Sequence, residues 1–329
     1  MGHRWFLIIF GVFWTGMTLL VDVVVGYGIV SNLRSESFAT TTGTVTHSEV
    51  TKERGSRGRS TYGVDIRYSY WVSGQKLQGD TYHYSSGSST DGEWATAAVR
   101  EHKVGEPVTV YYDEDDPANA VLKPGIDGAD LFLLQFLTPF NVAMLGFWRY
   151  GGATLWHWWN GTKPKAIDWF HQGNTVRVRL AQFTPIENGS VAAAVAAFLL
   201  GFVCLFSYGF HPPIEFAAML WAVVIGAGVA SALWDRRKQL AGDYDLVIGE
   251  RTVEVPAMFG ASKRLTVDRT AITGVAIEPV ERGSKRNTHT SQQITIQRRD
   301  GPPTLVAEWQ DGDSAAALAA WLREKLGPR

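Results

Sequence analysis

The chain of 329 residues has very little cysteine and almost no net charge. Its single cysteine, Cys204, excludes both a disulfide within one chain and a zinc site built from several cysteines. Lysine and arginine together number 31, aspartate and glutamate number 32, and the formal net charge is −1. Because a nucleic-acid-binding protein usually carries an excess of basic residues, this balance argues against a nucleic-acid partner.

Charge is also missing locally, because four stretches run almost without charged side chains. They cover residues 5–30, 130–148, 191–208 and 214–234. An α-helix rises 1.5 Å per residue, so about 20 apolar residues cross the ~30 Å hydrocarbon core of a bilayer. The sequence therefore predicts a multi-pass α-helical membrane protein with four transmembrane helices.

The first apolar stretch, residues 5–30, resembles a secretory signal because Arg4 precedes it. It is too long for the apolar region of a signal, and no small-residue cleavage pattern follows it, so we expect an uncleaved anchor. Asp22 inside this stretch costs roughly 2.5 to 3.5 kcal/mol near the bilayer centre. The many Leu, Ile, Val and Phe residues around it outweigh that cost, and insertion is favoured.

The distribution of lysine and arginine beside the spans predicts the orientation of the chain. The connection at 149–189, which also holds a group of interfacial tryptophans, and the segment after the last span are both rich in basic residues. The short turn at 209–213 has none. We therefore expect both termini and the 149–189 connection in the cytoplasm of a bacterium, the spans in its plasma (inner) membrane, and residues 39–125 outside the cytoplasm.

Residues 39–125 have the pattern of a small β-rich domain. Apolar residues alternate along one predicted strand, as in a half-buried sheet. Its inward side chains are predicted to be Val64, Ile66, Tyr68, Tyr70 and Val72. A capping box at Thr90 and Glu93 opens a predicted helix that turns Trp94 toward the core. Three strands, a helix and two strands is the order of an OB-type barrel, so we predict a small α+β domain of this kind.

The same region carries a resemblance to a known family. Its motifs are Gly43-Thr44-Val45, the tyrosine-rich strand that ends in a Ser-Gly turn, Val104-Gly105, and the segments 108–113, 116–117 and 120–125. Over about residues 39–125 the chain resembles the bacterial family called domain of unknown function 3592, which is found between transmembrane helices. The resemblance implies this architecture. It implies no activity, because the family has no agreed catalytic residues.

The tail at 243–326 is predicted to form a second, cytoplasmic β-rich domain. Six candidate strands are followed by a helix at 313–326, whose apolar stripe must pack against the sheet. That stripe consists of Ala316, Leu318, Ala319, Leu322 and Leu326. A curved sheet closed by a C-terminal helix resembles pleckstrin-homology-like domains by pattern only, and this resemblance implies no binding residues.

Signatures of chemistry are scarce. The acidic run 113–116 could hold a hard cation, but Asp-Pro after a strand favours a turn. The eight histidines are scattered without a metal-ligand spacing, and neither a nucleophile elbow nor a phosphate-binding loop is present. The sequence therefore predicts no catalytic residue, no cofactor and no metal site.

A glycine-punctuated hairpin tip at 52–59 is basic. Lys52, Arg54, Arg57 and Arg59 are candidate contacts for an anionic partner, either lipid headgroups or an acidic protein. The alternative is that these charges only solvate the hairpin tip.

One face of the first span is small and polar, with residues spaced for a single helical stripe. It consists of Gly11, Thr15, Thr18, Asp22 and Gly26. We expect this face to meet other helices. Matching depths in an antiparallel second span predicts a hydrogen bond between Asp22 and Gln135. An ion or proton site at Asp22 is the alternative.

Folded domains on both sides of a membrane, without a catalytic signature, favour a non-enzymatic interaction or sensor/scaffold protein. Its partners would be the lipid bilayer and a membrane or extracytoplasmic protein. Asp22 within a span favours, as the alternative, a small transporter or channel component. A membrane enzyme of an unrecognised type is a third hypothesis.

Overall fold

A computed structural model describes most of the chain. The described residues are 2–54, 60–85, 87–161, 167–181, 183–257, 263–284, 287–309 and 312–327. The chain divides into two compact units. The first comprises Met1–Ala153 and Gly189–Val229, and the second comprises Thr154–Asn188 and Ala230–Arg329.

Four of the described helices are long and apolar enough to cross a membrane. They are α1 (Gly2–Ser35), α3 (Gly128–Phe147), α5 (Pro185–Tyr208) and α6 (Ile214–Ala241). A short π-helical turn at Trp148–Gly152 and the helix α4 (Ala153–Asn160) follow α3. These helices and the sheets below fit the predicted mixed helix and sheet membrane protein. Helix α1 continues past the predicted end of the first span, Val30, to Ser35.

The N-terminal β domain, residues 39–125, is a five-stranded antiparallel sheet in the order β3-β2-β1-β4-β5. Its strands are β1 (Ala39–Arg54), β2 (Ser60–Val72), β3 (Gln75–Gly79), β4 (Pro107–Tyr112) and β5 (Ala120–Val121). Two backbone hydrogen bonds join the segments that follow the edge strands. Leu122 N donates to Thr81 O at 3.3 Å, and Lys123 N donates to Tyr82 O at 2.9 Å. The segments that follow the two edge strands are therefore hydrogen-bonded to each other.

The core of this domain has the predicted strand register, because Ile66, Tyr68 and Tyr70 are all buried. The tyrosine hydroxyls donate to backbone carbonyls. Tyr68 reaches Ala120 O at 2.9 Å, and Tyr70 reaches Pro117 O at 2.6 Å. The buried hydroxyls are thus satisfied within the domain.

The helix of this domain, α2 (Glu93–Glu101), is rotated from the predicted arrangement. Ala95 and Ala98 are buried, whereas Trp94 lies outside the core cluster, so its predicted place in the core was wrong. The predicted capping box does not form, and Asp91 Oδ1 accepts from the first helical N–H instead, at 3.0 Å. Successive helical residues differ by about 100° in direction, so burying Ala95 and Ala98 turns Trp94 away from the sheet.

The second unit contains two antiparallel sheets and a helix. One sheet has the order β10-β9-β8-β7-β6 and the other β11-β12-β13. The strands are β6 (Trp169–Gln172), β7 (Thr175–Arg179), β8 (Asp245–Ile248), β9 (Thr252–Val255), β10 (Leu265–Asp268), β11 (Ile272–Ser284), β12 (Asn287–Arg298) and β13 (Thr304–Trp309). Helix α7 (Gly312–Leu326) follows them. It buries Leu318, Ala319, Leu322 and Leu326 as predicted, with Ala315 in place of the exposed Ala316.

Residues 149–189 were predicted as a connection between the second and third spans, apart from the tail domain. In the structure, two strands of this connection belong to a sheet of the tail domain. The strands β6 and β7 form a hairpin around Gly173, whose φ is 59°, and β7 pairs with β8. The alternation in Thr175–Arg179 is a strand pattern, and Val178 from it is fully buried in the core. This unit, here called the C-terminal β domain, therefore includes residues from both sides of the α5–α6 helix pair.

Candidate functional site

A cluster of buried polar residues lies where the N-terminal β domain meets the start of α3. Asp127 is the N-cap of this helix, and its Oδ1 accepts from Ala129 N at 2.9 Å and from Asp130 N at 3.3 Å. Asp130 Oδ2 accepts in return from Asp127 N at 3.0 Å. This reciprocal capping box fixes both carboxylates at the helix terminus.

Asn32, in the last turns of α1, links three parts of the first unit to this cluster. Its Nδ2 donates to both carboxylate oxygens of Asp130, at 3.1 and 3.2 Å, and to Ser85 Oγ at 2.9 Å. Its Oδ1 accepts from Tyr84 N at 3.2 Å. Helix α1, helix α3 and the segment after β3 are therefore held together by one fully buried amide.

His83 lies between the two carboxylates with its side chain only 2% exposed. Its Nε2 is 3.0 Å from Gly125 O, which can only accept, so Nε2 carries a proton. Its Nδ1 accepts from Ser85 N at 3.3 Å. Asp127 Oδ2 lies 3.9 Å from Nδ1, and Asp130 Oδ2 lies 3.8 Å from Nε2. The hydrogen bonds thus select the Nε2–H tautomer, which leaves the lone pair of Nδ1 on the side of Asp127.

One lysine balances part of the negative charge. Lys123 Nζ lies 3.0 Å from Asp127 Oδ2, and the lysine side chain is 45% exposed. Burial disfavours the ionised form of Asp127, whereas the Lys123 ammonium and the backbone hydrogen bond from Asp130 favour it. Together they hold the pKa of this carboxyl below its usual range, so Asp127 is ionised at neutral pH.

A cavity of ≈ 400 Å³ opens beside this cluster. Its wall includes His83 and Asp127, the α2 residues Trp94 and Ala97, and the turn between α5 and α6 at His211. The start of α3 packs tightly against the same turn, because a Cβ at position 128 would overlap with the carbonyl oxygen of residue 212. Only glycine fits there. The cavity is lined by the β domain and by helix ends together.

Trp94 and His211 form a stacked pair in the cavity wall. Their ring centroids are 3.8 Å apart and the rings are 10° from parallel. Within the described part of the chain, neither ring nitrogen of His211 nor Trp94 Nε1 has a hydrogen-bond partner, although all three atoms are buried. Burial lowers the pKa of His211 to about 4, so the ring is neutral at pH 7. Unpaired buried polar atoms of this kind are a common feature of ligand sites.

The polar face of α1 packs against α3, as predicted. Asp22 is bonded there, but its predicted partner, Gln135, was wrong: Asn141 Nδ2 donates to Asp22 Oδ1 at 3.0 Å. Gln135 Nε2 instead lies 3.4 Å from Ala197 O. The prediction placed the span centres at one depth, whereas α1 is longer and its last turns reach Asp130. The pairing therefore moves from 135 to 141, about 9 Å along α3 at the helical rise.

The predicted anionic-partner contacts are only partly described. Lys52 and Arg54 are exposed at the end of β1, and Lys52 Nζ lies 5.5 Å from the centre of the Tyr62 ring. Arg57 and Arg59 lie outside the described residues.

The His83 cluster was not predicted from the sequence, although the sequence contains one signal for it. An acidic residue followed three positions later by another, just before an apolar run, is the pattern of a capping box, and Asp127 and Asp130 fit it. The contribution of Asn32 and His83 had no local signal, because they reach the cluster from elements 98 and 47 residues away from Asp130.

Comparison with known proteins gives one family match, which covers part of the chain. The model of the family described as domain of unknown function (DUF3592) matches residues 41–127, which confirms the predicted resemblance. The matched segment includes His83, Lys123 and Asp127, and it ends before Asp130. No curated protein and no solved structure gives a significant match.

Proposed function

We propose that this protein is a membrane-anchored sensor or interaction protein that binds a small ligand in the cavity beside His83. The observation that carries the proposal is the composition of the cavity wall, which combines the N-terminal β domain with the start of α3 and the α5–α6 turn. A ligand there would touch the domain and the helix ends at once. It would favour the arrangement that it fits best, and this differential affinity is what a sensor requires.

The proposal includes an orientation and two domain assignments. The N-terminal β domain would lie outside the cytoplasm of a bacterial inner membrane, and the C-terminal β domain inside. The strand order, the position of α2 between β3 and β4, and the two backbone bonds between the segments that follow the edge strands support an OB-type barrel. Two sheets followed by a C-terminal helix support a pleckstrin-homology-like fold for the other domain.

Transport is the second candidate, and Asp22 is the observation that favours it. A transport pathway usually brings several polar groups together at one depth. Asp22 is hydrogen-bonded to Asn141, whereas Gln135, the buried amide of the same α3 helix, reaches toward α5. These separate, single contacts support a structural role for Asp22, and therefore the sensor hypothesis over transport.

A cavity-filling variant tests the sensor function. Ala97 is exposed toward the cavity, so Ala97→Phe would block the cavity without entering the core. Arg100→Phe, an exposed position of the same helix outside the cavity wall, is the matched control. Wild type and both variants would be purified from their bacterial host in mild detergent, and their co-purifying proteins quantified. We expect Ala97→Phe alone to change the recovery of a partner severalfold. The same partners at the same recovery from all three would overturn the sensor function.

Reporter fusions test the orientation. A reporter that is active only outside the cytoplasm should work when fused near Gly87, and it should fail near Gly173 or at Arg329. The opposite pattern would reverse the proposed orientation.

A further inference from the structure

Three potential metal ligands converge in the cluster beside the cavity. One donor atom from each of His83, Asp127 and Asp130 lies within 4.8 Å of the other two. The three side chains are 2%, 16% and 0% exposed. Ligands at about 2.0–2.2 Å from one Zn²⁺ ion lie roughly 3–4 Å from one another, so small side-chain movements would bring the three groups to bonding distance.

The histidine is already in the tautomer that a metal site needs. A metal-bound histidine typically donates its second ring N–H to a carbonyl or carboxylate, which orients the ring. His83 Nε2 donates to Gly125 O at 3.0 Å in this way. Its Nδ1 lies on the side of Asp127 and accepts a long hydrogen bond, 3.3 Å, from Ser85 N. A cation could replace that weak contact at Nδ1.

The two carboxylates are oriented by other groups. Asp127 Oδ1 is held by backbone N–H groups of α3, which leaves Oδ2 toward His83 and Lys123. Asp130 is held by Asn32 Nδ2 and by the backbone N–H of Asp127. Such supporting hydrogen bonds are a regular feature of metal sites, and they lower the cost of ordering the ligands when an ion binds.

The charge of the cluster also favours a cation. Two carboxylates lie beside one lysine. Burying carboxylates is costly unless they are paired, and Asp130 is fully buried with no lysine or arginine within ion-pair distance in the described part of the chain. The Lys123 side chain is 45% exposed, so its ammonium can exchange Asp127 Oδ2 for water when an ion arrives from the cavity.

We infer that His83, Asp127 and Asp130 bind a divalent first-row transition metal such as Zn²⁺. Resting on the function proposed above, we also infer that this ion is what the sensor detects. Nitrogen and carboxylate donors suit Zn²⁺ and Mn²⁺, whereas soft Cu(I) prefers sulfur. Three protein ligands leave a position open toward the cavity, as in sites that exchange ligands, whereas structural zinc sites are closed by four.

A second candidate group, His47, Glu49 and Asp65, lacks these features. It lies on the surface of β1 and β2, with Glu49 61% exposed. Asp65 already accepts two hydrogen bonds from Arg67, at 3.0 and 2.8 Å. A variant of this group is therefore a suitable control.

Direct titration of the full-length protein tests the site. The protein in detergent would be stripped with EDTA, freed of chelator and titrated with Zn²⁺ by calorimetry, with Mn²⁺ in parallel. We expect one saturable Zn²⁺ per chain. Asp127→Asn should bind about tenfold more weakly or worse, because asparagine keeps the N-cap but loses the charge. Asp65→Asn should bind like wild type.

Lys123→Gln separates binding from misfolding. Removing the competing ammonium should tighten Zn²⁺ binding severalfold, and damage to the fold cannot produce tighter binding. The proposal is overturned if no saturable Zn²⁺ site exists, if Asp127→Asn binds as well as wild type, or if Lys123→Gln binds more weakly.

The two proposals fail separately. Zn²⁺ binding without any change in partner recovery between Zn²⁺ and EDTA would support the metal site and contradict its sensing role. Absence of Zn²⁺ binding, with partner recovery still altered in Ala97→Phe, would overturn the metal site and retain a sensor for another ligand.

Discussion

The two β domains bury very different side chains. The core of the C-terminal β domain is aliphatic, with Leu246, Ile294 and Leu318 among its largest fully buried residues. In the N-terminal β domain the largest are Tyr68 and Tyr70. The first unit, which contains the N-terminal β domain, also buries the Asn32 amide, the His83 imidazole and the Asp130 carboxylate side by side. An aliphatic core needs only matched volume, whereas each buried polar group needs a particular partner.

This contrast suggests where function resides. A polar network that is satisfied at every atom specifies one arrangement, and a group left unpaired within it is costly. The first unit keeps such unpaired atoms at Trp94 and His211, beside the cavity. Among the described residues, the second unit also has unpaired buried atoms, at Arg177 Nε, Asp245 Oδ1 and Trp309 Nε1, but none of these residues lines the ≈ 630 Å³ cavity of that unit. We therefore attribute ligand binding to the first unit, where unpaired buried atoms and a cavity coincide.

Truncation in the aliphatic core should have the largest effect. Leu318→Ala removes a fully buried side chain and should lower the free energy of unfolding of the C-terminal β domain by about 2–5 kcal/mol. Hydrogen exchange of α7 and of the strands it packs on would measure this loss. Ala316→Ser, an exposed position of the same helix, should leave exchange unchanged. Unchanged exchange in α7 would contradict the burial of Leu318 in this core.

Acidification should act on the first unit through His211. Burial depresses the pKa of this residue from 6.5 to about 4, so the unfolded chain takes up a proton at a higher pH than the folded one. The stabilisation is fully present above pH 6.5 and is lost as the pH falls toward 4. We expect the free energy of unfolding to fall by an amount on the order of 1–3 kcal/mol across this window. Thermal unfolding at a series of pH values would measure this loss.

His211→Phe keeps an aromatic ring against Trp94 and removes the titrating group. Its unfolding temperature should fall less than that of wild type between pH 6.5 and pH 4. Carboxylates titrate in both proteins, so the difference between them isolates His211. An equal fall in the unfolding temperature of the two proteins would show that the His211 ring is solvated in the folded protein. The unpaired atoms beside the cavity would then be in contact with water.

The tyrosine core should respond to loss of a single oxygen. Tyr68→Phe leaves the carbonyls of Ala120 and Thr81 without the hydroxyl that now reaches them, at 2.9 and 3.1 Å. We expect a loss of about 1 kcal/mol in the N-terminal β domain. Tyr111→Phe is the matched control, because its hydroxyl makes no hydrogen bond to the described residues. An unchanged free energy of unfolding in Tyr68→Phe would indicate that the tyrosine core, like the aliphatic core, requires only a matched side-chain volume.

Local patterns predicted most of the elements in both units. Strands β8 to β13 were each foreseen from alternation and from turns such as Asp300-Gly301, because a period of two and a tight turn are properties of a few adjacent residues. The hairpin of β6 and β7 was missed. The tryptophans of the 149–189 connection pointed to a membrane interface, and the pairing of β7 with β8 joins residues 66 to 72 positions apart. Such a pairing leaves no mark in a short window of sequence.

The same limit applies to the candidate site. Matching the depths of the spans could place α1 beside α3. The register of the two helices depended on how far α1 continues. The last turns of α1 are stabilised by contacts of Asn32 with Asp130 and of Ser35 with Gly125. A helix end that is stabilised by distant partners cannot be located from capping residues alone. The error in the Asp22 partner and the failure to see the His83 cluster therefore have one cause.

The smallest predicted effect tests that register. Single interhelical hydrogen bonds in membranes contribute about 0.6 kcal/mol on average. A double-mutant cycle of Asp22→Ala with Asn141→Ala should therefore show a coupling energy of about this size, measured by unfolding in mixed detergent micelles. The matched cycle of Asp22→Ala with Gln135→Ala should show none, because Gln135 Nε2 reaches Ala197 O instead.

Crosslinking can decide the register where so small a coupling energy is hard to measure. Cys204 is the only cysteine, so a Cys204→Ser background allows two engineered pairs to be compared. Oxidation should link Asp22→Cys with Asn141→Cys much faster than Asp22→Cys with Gln135→Cys, since the two α3 positions lie about 9 Å apart along the helix. Faster crosslinking at position 135, together with coupling in the Gln135 cycle, would restore the depth-matched register. It would also separate Asn32 from Asp130, because one shift of α1 along α3 moves both contacts, and the preorganisation of the His83 cluster would be lost with them.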